Sequence, residues 1–72
     1  MDIRQLRYFV AIAEQGSFSR AAAQLHVAQP ALSLHVRNME TYLKVQLLHR
    51  SPKGVVPTEA GAILLRNARI IL

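Results

Sequence analysis

Residues Phe18 to Glu40 read FSRAAAQLHVAQPALSLHVRNME, and the second half of that stretch holds the side chains whose types and spacing suit chemistry. Projected at about 100° per residue, Pro30 to Leu43 gathers Leu32, Val36, Met39 and Leu43 on one side. Pro30, Ser33, Leu34, Arg37, Asn38 and Thr41 spread over the other, and Gln29 stands at the helix start. An unburied helix face with amide, hydroxyl and guanidinium groups can hydrogen-bond base edges and phosphate oxygens. Gln29 has the amide that pairs bidentately with adenine, and Leu34 lies almost opposite the apolar stripe. An exposed leucine there can touch a thymine methyl group, or be a harmless substitution on a helix face. The stretch predicts a surface that meets DNA.

Other chemistries find no constellation. His26, His35 and His49 are too irregularly spaced for a helical i, i+4 ligand pair, and the chain has no cysteine. The four acidic residues are scattered and no glycine-rich phosphate loop occurs. No enzyme, metal or cofactor is expected.

The recognition face needs elements to hold it. Arg20 to Leu25 is Ala-rich, and Ala22 opposite a second helix lets two axes approach closely at a steep angle, as a helix-turn-helix requires. His26 stands at the turn, and His is among the non-glycine residues that enter the left-handed region more readily. Pro30 fits the first turn of the next helix, where its missing N–H costs nothing. That helix begins at Ala28 or Gln29. Upstream, Asp2 and Gln5 have capping-box spacing, and Ile3, Leu6, Phe9, Val10 and Ala13 form an apolar stripe. Gly16-Ser17 ends this first helix, Ser17 can cap the next, and Phe18 plugs the corner between them. Tyr8 and Phe18 are read as structural rather than as base-stacking platforms.

After Leu43 the pattern shortens. Gln46-Leu47-Leu48-His49 and Val55-Val56-Pro57 flank Arg50-Ser51-Pro52-Lys53-Gly54, which has the composition of a turn between two strands. A two-stranded wing with Arg50 and Lys53 at its tip would reach a neighbouring groove or phosphate row; a solvated loop holding two cations is the blander possibility. Thr58 caps a last helix with Glu59 beside the positive end of its dipole. Ile63, Leu64, Ala68 and Ile71, with Leu65, Ile70 and Leu72, give that helix more apolar surface than a small body covers. The expectation is a dimer through this helix, at the front end of a longer protein.

Length and charge set the outer bounds. Seventy-two residues make one domain, with nine Lys and Arg against four Asp and Glu for a formal charge of +5 and a pI near 10.9. Such a balance points to a polyanion, nucleic acid or an anionic membrane surface. Arg37, Arg50 and Lys53 fall in or beside the two segments that a winged helix presents, which favours DNA. No apolar run approaches the roughly 20 residues that span a bilayer, and MDIRQLRYF lacks a signal peptide's apolar stretch. A soluble, cytoplasmic, nucleoid-associated protein is expected.

From Phe9 to Leu72 the chain resembles the amino-terminal domain of the LysR-type transcriptional regulators of bacteria. The resemblance rests on Leu6, Phe9 and Val10, Gly16-Ser17-Phe18, Ala21-Ala22, Leu25, Val27, Gln29-Pro30-Ala31-Leu32-Ser33, Leu43, Leu47-Leu48, Arg50 and Thr58-Glu59-Ala60-Gly61. It implies a mainly α fold: a winged helix-turn-helix of three helices and a two-stranded wing over residues 1–57, then the start of a long linker helix over residues 58–72. It further implies double-stranded DNA as partner at an interrupted palindromic operator, a homodimer through the linker helix, and room for a tetramer in the full-length protein. A small-molecule effector would bind only a carboxy-terminal domain that this sequence does not contain. Gln29, Pro30 and Ser33 match family positions that contact bases and phosphates, and Arg50 and Lys53 match the wing. Position 34 departs, since the family often has a polar or basic residue where this chain has Leu34.

Two other classes compete with this reading. A helical dimerisation or partner-binding module with incidental positive charge has no use for a basic hairpin at Arg50 to Gly54. RNA binding would ask for exposed aromatics on a sheet, and two Tyr with two Phe, mostly at core spacing, argue against it.

Overall fold

Helix α1 (Ile3–Gln15) begins where Asp2 leaves an extended conformation and its carboxylate accepts the Gln5 N–H at 2.8 Å, while the Gln5 side chain accepts the Asp2 N–H in return. This is the expected capping box. The computed structural model describes residues 1–72. Gly16, left-handed at φ 65°, ends α1. Ser17 then caps α2 (Phe18–Leu25), its hydroxyl accepting the Arg20 N–H at 3.1 Å. His26 turns left-handed at φ 58°, as its residue type allowed. Helix α3 (Gln29–Leu43) follows with Pro30 in its first turn.

The wing is an antiparallel pair, β1 (Leu48–Ser51) and β2 (Gly54–Pro57), and α4 (Glu59–Ile71) closes the chain. Its register pairs Leu48 with Pro57, His49 with Val56, Arg50 with Val55 and Ser51 with Gly54. The turn is therefore only Pro52-Lys53, and Arg50 lies inside a strand rather than in the turn expected for it. Backbone pairing that starts at Leu48 with Pro57 runs on through Arg50 and Ser51. Gly54 sits at φ 134°, and a Cβ there would meet the Gly16 carbonyl oxygen at 2.8 Å. That close approach lets the Val55 N–H bond Gly16 O at 3.0 Å, which docks the wing on the corner between α1 and α2.

The core is centred on α1, which touches α2, α3, α4 and β2. Its buried stripe runs Leu6, Phe9 and Ile12. Ile3, expected in that stripe, is 47% exposed in the first turn. Ile12 takes the inner place instead, toward the end of α1 that meets the wing. Leu32, Val36 and Met39 of α3 are buried as expected, but Leu43 is 37% exposed. Lys44 turns left-handed directly after it and the chain leaves the helix, and Leu47 and Leu48 beyond the turn are buried in the core. Each fully buried side chain of this size stabilises the fold by about 1.5–3 kcal/mol.

Thr58 joins three elements. Its hydroxyl caps α4 by accepting the Gly61 N–H at 3.0 Å and donates to Gln46 O at 2.6 Å, while its own N–H bonds Leu47 O at 2.9 Å. Gly61 lies so near the Leu47 carbonyl that any Cβ would overlap it.

Candidate nucleic-acid interface

Burial of one side of α3 decides what the other side offers. Gln29, Pro30 and Arg37 are exposed, Ser33 is half-buried, and Leu34 is 52% exposed. Ala28 gives α3 no side-chain cap. The first-turn N–H groups thus keep no side-chain acceptor, beside the positive end of the helix dipole, a setting that suits an anion.

Strand alternation governs the wing. Leu48 and Arg50 share one face of β1, and Val55, the cross-strand partner of Arg50, is buried. Arg50 therefore lies on the inward side, its guanidinium carbon 3.8 Å from the centroid of the Phe18 ring. Lys53 is the one cation at the tip, beside Pro52. Ser51 pins the turn by accepting the Lys53 N–H at 3.3 Å and donating to Gly54 O at 3.2 Å.

Between α3, the start of α2 and the wing lies a cleft of about 380 Å³, lined by Phe18, Ser33, Arg37, Glu40, Gln46 and Arg50 among others. It brings Ser33, Arg37 and Arg50 together, while Gln29, Pro30, Leu34 and Lys53 stand outside it. The guanidinium donors engaged within the protein belong to Arg20 and Arg69, and the single ion pair is Arg69–Glu14 at 3.3 Å. Arg37, Arg50 and Lys53 keep their side-chain donors free. Glu40 forms no ion pair with them: its Oε2 accepts the N–H groups of Leu47 at 2.8 Å and Leu48 at 3.3 Å.

Phe18 and Glu40 are the cleft residues that sequence reasoning missed as functional. Glu40 sits three residues after Arg37, one turn away on the same face, and that spacing could have flagged it. The pairing of Phe18 with Arg50 becomes visible only once strand parity is known.

The aromatic residues are not free platforms. Phe18 is buried, and Tyr8 meets His35 edge to face with ring centroids 5.0 Å apart. His35 also lies 3.4 Å from Gln5 Nε2, which turns it toward α1 rather than into a groove.

On α4 the four residues expected to dimerise divide. Ile63 is 50% and Ile71 61% exposed, with Ile70 and Leu72 also exposed. Leu64 is half-buried against the core, and Ala68 is wholly buried within it. Ala68 is thus corrected from a dimer contact to a residue of the chain's own core, on the side of α4 that packs on α1.

The model of the bacterial regulatory helix-turn-helix proteins of the lysR family matches residues 3–62. The chain is 53% identical over 72 residues to the nitrogen assimilation regulatory protein nac of Klebsiella aerogenes, and 46% identical over 71 residues to the transcriptional regulator XapR of Escherichia coli. It covers 100% and 99% of itself in these matches but 24% of each relative, so it spans about a quarter of their length. Its backbone superposes on the CbnR DNA-binding domain in a DNA complex with a TM-score of 0.94 at 45% identity, covering 99% of this chain and 82% of that one. For the BenM domain with its catB site 1 DNA the TM-score is 0.95 at 42% identity, covering 99% and 80%. The first of these relatives is named as a regulatory protein and the second as a transcriptional regulator, and no helix here is long and apolar enough to cross a membrane. The winged helix-turn-helix described above and a match over most of its length lead to one conclusion: the chain belongs to the lysR family of bacterial regulatory helix-turn-helix proteins.

Proposed function

We propose that residues 1–57 bind double-stranded DNA in a sequence-dependent way, with α3 in the major groove and the wing on the adjacent backbone or minor groove. The observation that carries this reading is the convergence of Ser33 and Arg37 of α3 with Arg50 of the wing in one cleft whose cations make no ion pair or hydrogen bond within the protein. Gln29, Pro30 and Leu34 extend the same helix toward base edges, and Lys53 extends the wing toward phosphate. The close likeness to the CbnR and BenM domains, both seen with DNA, supports it.

Two copies would join through Ile63, Leu64 and Ile71 of α4, over residues 58–72, and present two α3 helices to an interrupted palindrome with half-sites about 34 Å apart. In the whole protein, a further domain would receive a small effector, tetramers would assemble from dimers, and the work would take place on the nucleoid in the cytoplasm.

A titration of affinity for random duplex against salt tests the reading, because phosphate contacts give a steep negative slope in log affinity. Lys53→Ala should flatten that slope by about 1, whereas Gln29→Ala should cost specific binding about 1–3 kcal/mol and spare non-specific binding. Affinity indifferent to salt would instead favour a helical partner-binding module, which the exposed isoleucines of α4 could also serve.

A further inference from the structure

We infer that Phe18 is a positioning residue for Arg50: the face of a core phenylalanine holds the wing arginine at the cleft with its donors unspent. The inference rests on the DNA-binding reading of the cleft. Phe18 opens α2 directly after the Ser17 cap and is only 5% exposed, so its ring is fixed by the core. At 3.8 Å from the ring centroid the Arg50 guanidinium lies over the ring face, well inside the range of a cation–π contact. Such a contact occupies the face of the cation and leaves the N–H edges open.

Arg50 spends none of those edges within the protein, since the engaged guanidinium donors are those of Arg20 and Arg69. The one acid lining the cleft, Glu40, is turned to the Leu47 and Leu48 N–H groups. Strand parity supplies the remaining constraint, because pairing with buried Val55 aims Arg50 inward onto the ring. A long side chain held this way before DNA arrives loses less freedom on binding. Phe18 itself need not touch DNA.

The test uses this chain, random duplex and four proteins: wild type, Phe18→Leu, Arg50→Ala and the double variant. In free wild type the Arg50 side-chain protons should be shifted upfield by the ring current, and Phe18→Leu should abolish that shift. Phe18→Leu should weaken binding about two- to fivefold, the strength of an exposed cation–π contact, with the salt slope unchanged because the charge remains. In the Arg50→Ala background the same change should cost nothing further. Equal losses in both backgrounds overturn the inference and make Phe18 purely structural. Should Phe18→Leu fail to fold, Phe18→Met fills the core without a ring face: the same loss at unchanged slope supports the inference, and wild-type affinity overturns it. Wild type that fails to bind duplex overturns the DNA reading; a ring-current shift that persists then leaves the Phe18–Arg50 contact standing and identifies the DNA reading as the part that failed.

Discussion

Glu40, in the last turn and a half of α3, accepts the Leu47 N–H through Oε2 at 2.8 Å, across a loop that separates the recognition helix from the wing. The same oxygen accepts the Leu48 N–H at 3.3 Å. Leu47 is 1% exposed, so without the carboxylate its N–H would be buried and unbonded. Glu40→Ala should destabilise the fold by about 1.5–3 kcal/mol, the range for hydrogen bonds to a charged group. Glu40→Gln, which keeps an oxygen acceptor, should fall between. Urea melts give the stabilities, and faster hydrogen exchange at Leu47 and Leu48 locates the loss. Superimposable melts for Glu40→Ala and wild type would sink the idea.

Gly61 sets helix propensity against packing. Alanine is better than glycine inside a helix by about 1 kcal/mol, so an isolated helix would gain from Gly61→Ala. In the fold, the added Cβ would overlap the Leu47 carbonyl that also receives the Thr58 N–H. Overpacking of this kind costs about 1–3 kcal/mol, and the net effect should be destabilising. The neighbouring Ala62 is exposed, so Ala62→Gly provides the propensity term alone. If Gly61→Ala melts higher than wild type, the contact between α4 and Leu47 is looser than described.

These two contacts show where the sequence was legible and where it was not. Caps made by Asp2, Ser17 and Thr58 are local, involving residues three apart, and so could be read from spacing. His26 in the left-handed region and the exposed side of α3 follow from residue type and helical period in the same way. Glu40 with Leu47, Gly61 with Leu47, and Arg50 with Phe18 depend on how separate elements dock, which no period encodes. Ala68 misled because a helix stripe looks the same whether it packs on its own core or on a twin. Serine, proline and glycine after Arg50 suggest a turn there, although cross-strand pairing continues to Ser51.

Asp2 gives the fold an acid-side dependence. The Gln5 N–H holds its carboxyl below the ordinary value; desolvation opposes it, and Arg4, the amino terminus and His35 each add a smaller lowering. A pKa depressed by folding contributes stability that is fully present above the unfolded value of about 3.9, and is lost as pH falls through the folded value. Asp2→Asn keeps an oxygen for the Gln5 N–H but cannot titrate. The stability of wild type relative to Asp2→Asn should therefore decline as pH is lowered below about 4. Thermal melts followed by circular dichroism across that range measure it, and a gap that stays constant would remove Asp2 as the source.

The division of α4 makes the proposed dimer testable without confusing it with folding. Ile63 and Ile71 are exposed while Ala68 is sealed in the core, so the two sides of one helix should respond differently. Polar replacement of Ile63 and Ile71 removes apolar surface that the monomer leaves in water and should barely change its stability. If that surface joins two copies, the doubly substituted chain should sediment as a monomer and bind a palindrome no better than a half-site. Ala68→Leu should do the opposite: overfilling a close approach to α1 costs about 1–3 kcal/mol of fold stability, with the dimer face still present. The Arg69–Glu14 pair beside it will not compensate, since both side chains are about half exposed and such pairs contribute about 1 kcal/mol or less. Sedimentation of the unmodified chain as a monomer at high concentration would refute dimerisation through α4, and the exposed isoleucines would then need another partner.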